Sequence, residues 1–229
     1  MRRKTWLASF GFVVAALSCS ALYAGTFATI TIDDNYSDWA GIPVLDSDGG
    51  DNAGGPDIGD TQIANDNDNL YIRNTFPNND AMQMYIALDI DSNTATGFDV
   101  FGAGLIGSEA GWQNDFAFAQ ATGVFNSGGL SGDYFGGGHA LLAPFADATA
   151  SRELAISLNA LFAADNSPVF PDGSFTLLFW TDNGFDVSAP ITYTLAVVPE
   201  CSTFALTPLA AIAVIWRRRG GRVGRGKLD

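Results

Sequence analysis

Short apolar runs divided by turn-forming residues fill the middle of this chain and limit what it can fold into. The runs are rich in β-branched and aromatic residues, and clusters of Asp, Asn and Gly separate them. Such runs predict β-strands, because these side chains suit a pleated, half-buried surface. The clearest runs are residues 27–32, 70–76, 82–88, 152–158, 175–181 and 191–195. Only residues 158–164 have a helical pattern, so the sequence predicts an all-β fold.

The segment between the two chain ends, residues 25–196, has a length that suits a single β-sandwich. Residues 65–69 are all Asn or Asp and predict a tight turn, since both types tolerate the left-handed backbone conformation. The glycine-rich stretches 48–55 and 128–138 predict surface loops. We therefore expect one folded domain of packed strands.

Charge is distributed unevenly along the chain. The whole chain has a net charge of −14, but the segment 25–198 carries −21, from two basic against 23 acidic residues. A segment this acidic repels the phosphate backbone, which excludes nucleic acid as a partner. All but two of its acidic residues are Asp, which favours turns and oxygen-rich cation sites over helix faces.

The residue types needed for catalysis are scarce in this segment. Cys19 and Cys201 lie near the chain ends, so the middle has no disulfide and no cysteine nucleophile. His139 is the only histidine and lies in a glycine-rich loop, with no serine in a nucleophile elbow. A carboxylate pair for glycoside hydrolysis stays open in so acidic a chain. We predict a protein that is not an enzyme.

Residues 1–24 have the three parts of a secretory signal peptide. A positive Arg-Arg-Lys start precedes an apolar core at 6–17 and a small-residue exit. Cleavage by signal peptidase after Ala21 or Ala24 fits this pattern. Lipidation at Cys19 and an uncleaved anchor helix are the alternatives, and the short apolar core disfavours the second. The leader predicts export.

The C-terminal end has a short polar motif, an apolar run and a basic cluster, in that order. The motif is Val198, Pro199, Glu200, Cys201, Ser202 and Thr203, residues 204–216 are apolar, and Arg217, Arg218 and Arg219 follow. At about 1.5 Å per residue the apolar run spans about 20 Å, less than a bilayer core. We predict a marginal transmembrane helix whose arginines stop it on the cytoplasmic side.

This order of parts resembles the PEP-CTERM sorting signal. The resemblance implies an exosortase as partner, a membrane transpeptidase-like enzyme that recognises the signal and removes the tail. Cys201 stands where the signal has its second proline, and ten further residues follow Arg219. An ordinary single-pass anchor is the alternative.

Five segments of the middle region have an order and spacing that can be compared with those of a known family. They are residues 32–39, 42–43, 64–72, 88–98 and 153–161. Their order and spacing resemble those of family-nine carbohydrate-binding-module-like sandwiches. The resemblance implies a jelly-roll-like sandwich of two antiparallel sheets, with a glycan or bound calcium as ligand.

Asp89, Asp91 and Asn93 place three oxygen ligands at alternate positions, as at the start of a Ca²⁺-binding loop. An EF-hand is excluded, because its glycine and its bidentate glutamate are missing. A sandwich-loop site completed by Asp99, Asp115 or backbone carbonyls is one interpretation. A polar turn at the end of a strand is the other.

Aromatic residues in glycine-rich surroundings are candidate sugar platforms, because the C–H face of a sugar ring packs on an aromatic ring. Trp112 and Tyr134 have such surroundings. Trp39 and Trp180 are predicted to pack in the core or at its edge, as their apolar neighbours suggest.

Together these features predict an exported cell-surface or extracellular-matrix protein. We expect its sandwich to bind polysaccharide. The alternative is a structural component of the envelope that calcium stabilises and that has no small ligand.

Overall fold

The computed structural model describes residues 25–52, 54–82, 84–132, 134–136, 138–181 and 186–197. The predicted signal peptide, the motif 198–203, the apolar run 204–216 and Arg217, Arg218 and Arg219 lie outside the described residues. Among the helices of the described part, none is long and apolar enough to cross a membrane.

Twelve strands make up the described part of the chain. They are β1 (Val44–Ser47), β2 (Asp60–Asn65), β3 (Asn69–Thr75), β4 (Met84–Asp89), β5 (Ala110–Gln113), β6 (Phe116–Ala121), β7 (Val124–Ser131), β8 (Ala140–Ala143), β9 (Ser151–Ser157), β10 (Leu161–Phe162), β11 (Ser174–Thr181) and β12 (Ile191–Thr194). Two short 3₁₀ turns, Tyr36–Trp39 and Val100–Gly102, are the only helical elements in these ranges.

The strands form two antiparallel sheets. One has five strands in the order β1-β2-β3-β9-β8, and the other has seven in the order β10-β7-β6-β5-β4-β11-β12. The main core lies between them and includes Ile72 of β3, Leu88 of β4 and Phe179 of β11. The predicted all-β fold of antiparallel sheets is therefore confirmed.

Smaller apolar clusters cover parts of both outer sheet faces. On the five-stranded sheet, Ile30 and Trp39 from the N-terminal segment pack over Tyr71 and Ala155. The covering segment explains why every residue of β9 is buried, whereas a strand with one solvated face alternates. On the seven-stranded sheet, Val100 and Ile106 pack beside strand residues.

Three local predictions need correction. The helix predicted over 158–164 is wrong, because Leu161–Phe162 pairs with the end of β7, and ladder pairing outweighs a marginal two-turn helix. Residues 27–32 form no strand beyond a single bridge from Phe27 to Asn65. Part of the predicted loop 128–138 belongs to β7.

A buried carboxylate fastens the N-terminal segment to the five-stranded sheet. Glu153 of β9 is fully buried. Its Oε1 accepts hydrogen bonds from the backbone N–H groups of Asp33 and Asp34, both at 2.8 Å. Its Oε2 accepts one from Trp39 Nε1 at 2.8 Å. Three donors thus compensate for removing this charge from water.

A second polar anchor joins the two ends of the described domain. Asn65 Oδ1 accepts from the Ala196 N–H at 2.8 Å and from the Tyr193 hydroxyl at 3.0 Å, and its Nδ2 donates to the Ala196 carbonyl. The Gly25 N–H donates to the Thr194 carbonyl at 2.8 Å. The two ends therefore lie side by side at one corner, here named the terminal corner.

The substitution Glu153→Gln should lower the free energy of unfolding by about 2 to 3 kcal/mol, because it removes the charge that three N–H groups share. Asp115→Asn is the control, since the Asp115 side chain is exposed and accepts no hydrogen bond from another described residue. It should cost less than about 1 kcal/mol. Urea unfolding measures both values, and equal losses would contradict a fastening role for Glu153.

Candidate functional site

Seven aromatic side chains meet on the outer side of the seven-stranded sheet, away from the main core. They are Tyr85, Phe98, Phe101, Phe116, Phe118, Phe125 and Trp180, here named the aromatic face. Strand alternation directs Tyr85 outward because its neighbours Met84 and Ile86 belong to the main core. Trp180 follows the core residue Phe179 in the same way.

The rings of the aromatic face are packed against one another. Tyr85 and Trp180 are stacked with centroids 4.2 Å apart and an interplanar angle of 10°. Phe101 and Phe125 meet Trp180 edge to face, at 5.1 Å and 5.9 Å. Edge-to-face and offset-stacked pairs are the favourable arrangements of aromatic rings. The packing holds these rings in defined orientations.

Three rings of this face remain open to solvent. Phe101 is 51 % exposed, Phe116 58 % and Phe125 39 %. Phe101 also has a left-handed backbone, with φ at 53°. A non-glycine residue in that conformation is strained, and such strain is concentrated at functional sites. A group of exposed rings that the fold keeps in place is a candidate contact surface.

The structure corrects one predicted platform. Trp112 is 1 % exposed and lies in the main core, with its ring stacked near Phe170. No face of its ring is open to a ligand, so the prediction for Trp112 is wrong. Trp39 is buried as predicted, and Trp180 is buried in the aromatic face rather than the main core.

Tyr134 is half-buried and packs against the edge of the main core. Its hydroxyl donates a hydrogen bond to the Asn159 carbonyl at 2.5 Å. The ring also lies close over Gly132, where φ is 115° and a Cβ would collide with it. Sugar binding at Tyr134 stays a prediction.

Three carboxylates meet at the end of β4 and are here named the Asp89 cluster. It contains Asp89, Asp91 and Glu109, each with a carboxylate oxygen within 4.8 Å of the others. Asp89 is 2 % exposed and Asp91 is exposed. The Asp89 Oδ1 accepts from the Ser92 N–H at 2.7 Å, which fixes the turn after the strand.

Glu109 is the unusual member of the Asp89 cluster. Its Oε2 accepts from the Ile90 N–H at 3.0 Å, but its Oε1 is buried and has no hydrogen-bond partner. The hydroxyl of Thr96 donates instead to Asp91 and to the Asn93 carbonyl. Burial, together with the charges of Asp91 and Asp89, raises the pKa of Glu109 to about 7. The raised pKa shows that no nearby positive charge offsets the cost of ionising the buried Glu109 carboxyl group.

The predicted calcium ligands are only partly brought together. Asp89 and Asp91 lie in the cluster, whereas the Asn93 Oδ1 accepts from the Ala95 N–H at 3.2 Å. Asp99 uses its Oδ1 to accept from the Gly104 N–H and is outside the cluster, as is the exposed Asp115. Glu109 was missed, because nothing in the sequence indicates that the start of β5 lies beside the end of β4.

A further group of carboxylates, here named the Asp48 cluster, contains Asp48, Asp51 and Asp186. Asp186 is 5 % exposed and accepts from the Ile58 N–H. Burial and the nearby charge of Asp186 raise the pKa of Asp48 to about 6. The Asp48 Oδ2 is buried without a hydrogen-bond partner. These acids come from opposite ends of the sequence.

No protein-family model matches this chain, and no curated protein matches it. Among solved structures, the chain is similar to a carbohydrate-binding module of family 9 (CBM9) from Caldicellulosiruptor kristjanssonii in complex with glucose. The identity is 9 %, the TM-score is 0.44, and the match covers 78 % of this chain and 98 % of that chain. A likeness this distant says nothing about what the present chain binds.

Proposed function

We propose that this protein is an exported, non-catalytic module that binds polysaccharide at the cell envelope through its aromatic face. The observation that carries the proposal is the set of three solvent-exposed rings, Phe101, Phe116 and Phe125, around the stacked pair of Tyr85 and Trp180. The C–H side of a sugar ring packs on such aromatic surfaces, and the packed neighbours hold the rings ready for it.

The charge of the domain narrows the class of partner. With 23 acidic and two basic residues between positions 25 and 198, the domain repels nucleic acid and anionic surfaces. A neutral polysaccharide meets no such repulsion. Contact through aromatic rings also needs no countercharge, which agrees with an acidic domain.

The double substitution Phe101→Ala with Phe116→Ala should weaken polysaccharide binding by about tenfold or more, since stacking on each ring contributes about 1 kcal/mol. Both side chains are more than half exposed, so their removal should leave the fold intact. Affinity electrophoresis against a panel of soluble polysaccharides measures the change.

Phe145→Ala is the matched control, because Phe145 is 61 % exposed and lies outside the aromatic face. Its binding should equal that of the wild-type protein. Loss of binding in the control alone, or no binding by the wild-type protein to any polysaccharide, would refute the proposed function.

The two chain ends supply the rest of the proposal. The leader is expected to be removed by signal peptidase, and an exosortase-type enzyme is expected to process the tail at residues 198–203. The order of the motif, the apolar run and the arginines supports this route. Until processing, the apolar run anchors the protein in the inner membrane.

Mass spectrometry of the protein recovered from its host should give a mass that lacks both residues 1–24 and Arg217, Arg218 and Arg219. The presence of these arginines on the mature product would contradict processing at the motif and support a permanent single-pass anchor. A lipid mass at Cys19 would indicate the lipoprotein route instead.

A second function, structural and stabilised by calcium, is favoured by a different observation. The buried Oε1 of Glu109 has no hydrogen-bond partner, yet it lies beside Asp89 and Asp91. Together these three residues would give a calcium ion three hard carboxylate ligands, with carbonyl or water oxygens in the remaining positions. The ion would offset the repulsion between the three acids.

Calcium should raise the melting temperature, and the rise should be larger at pH 8 than at pH 6, because protons compete for Glu109 below its pKa of about 7. Without calcium, stability should fall as the pH rises from about 4.5 to about 7, since the folded state keeps a proton that the unfolded state has released. Thermal melts with calcium or chelator measure both effects.

The substitution Glu109→Gln should abolish the calcium response, whereas Asp48→Asn should leave it in place. The opposite pattern would indicate that calcium binds at the Asp48 cluster instead. If neither calcium nor chelator changes the melting temperature, the Asp89 cluster is a polar turn that does not bind calcium.

A further inference from the structure

Gln113 is an amide side chain placed among the rings of the aromatic face. It is the last residue of β5, and it lies directly across the ladder from Tyr85 of β4 and from Phe116 of β6. Directly opposed residues of an antiparallel pair share a face of the sheet. Trp112, the preceding residue, points into the main core, so Gln113 points to the outer side.

The amide of Gln113 is half-buried and forms no hydrogen bond with any other described residue. The glutamines at two other positions are engaged: Gln62 Nε2 donates to the Ile42 carbonyl at 2.7 Å, and Gln120 Oε1 accepts from the Ser108 hydroxyl. The Gln120 Nε2 is buried without a hydrogen-bond partner, but its Oε1 is engaged. Of these three glutamines, Gln113 alone has both its donor and its acceptor unused, and it lies beside exposed rings.

No cation accompanies the aromatic face in the part of the chain that the structure describes. The domain's two arginines both lie in the five-stranded sheet. Arg73 donates to Gln62 and Ser151, and Arg152 is 3 % exposed and donates to loop carbonyls. A ligand carboxylate or sulfate at the aromatic face would therefore find no countercharge.

We propose that Gln113 is the residue that sets specificity at the aromatic face, bonding the hydroxyl groups of an uncharged polysaccharide while the rings pack on its C–H faces. This inference rests on the proposed function and deepens it. An amide both donates and accepts, as a sugar hydroxyl does, so the pair is complementary without charge. A polyanionic polysaccharide would lose its hydration at this surface and would find no positive charge to replace it.

The test compares neutral glucans, mannans, galactans and xylans with alginate, a carboxylated polysaccharide, in affinity electrophoresis of the purified protein. The wild-type protein should bind at least one neutral polysaccharide and should not be retarded by alginate. Gln113→Leu, which keeps the size and removes the hydrogen bonds, should weaken neutral binding by about tenfold. Gln113→Lys should add salt-sensitive retardation by alginate, a gain that a structural role alone would not produce.

Thr192→Ala is the matched control. Thr192 is an exposed polar residue of β12, and its hydroxyl pairs with that of Thr176 toward the other end of the sheet, away from the rings. The Thr192→Ala variant should bind neutral polysaccharide as tightly as the wild-type protein.

Neutral binding that is lost in the phenylalanine variants but kept in Gln113→Leu would overturn the role of Gln113 and leave the proposed function standing. Alginate bound by the wild-type protein as tightly as a neutral chain would overturn the proposed specificity. Absence of all polysaccharide binding would overturn both proposals together.

Discussion

The buried carboxylate of Glu153 holds the N-terminal segment against one side of this sandwich. A fully buried charge is tolerated only when donors surround it, and the donors here come from the turn at Asp33 and Asp34 and from Trp39. That requirement holds the N-terminal segment over the five-stranded sheet. The outer face of the five-stranded sheet is therefore partly closed by the chain itself. The seven-stranded sheet instead presents exposed rings on its outer side.

The all-β class and five of the twelve described strands could be predicted from side-chain patterns alone. The runs that gave β3, β4, β9, β11 and β12 are apolar and β-branched, and backbone pairing there follows the local preference. The pattern failed where tertiary contacts decide. Residues 27–32 alternate like a strand, yet they lie across the outside of a sheet, where Ile30 finds an apolar partner without ladder bonds.

The candidate site was less predictable because it depends on which side of a strand faces the core. Trp112 lies between Gly111 and Gln113, whereas Trp180 ends an apolar run. Both outer and inner faces of the seven-stranded sheet carry large side chains, so neither setting indicates the face. If the register of a strand shifts by one residue, its side chains exchange faces. No feature of the sequence near either tryptophan indicates which face of the sheet the ring occupies. Glu109 and Asp186 were unpredictable for a different reason, since long-range pairing brings them to acids elsewhere in the sequence.

The terminal corner has a consequence for how the molecule is oriented. β11 runs from Ser174, opposite Thr194 at that corner, to Trp180 and Thr181 at the other end. At about 3.3 Å per residue the rings lie about 20 Å further along the strand. A tether attached to either end of the domain therefore holds it by one corner. The aromatic rings then stand on the outer side of the seven-stranded sheet, at the end distant from the point of attachment.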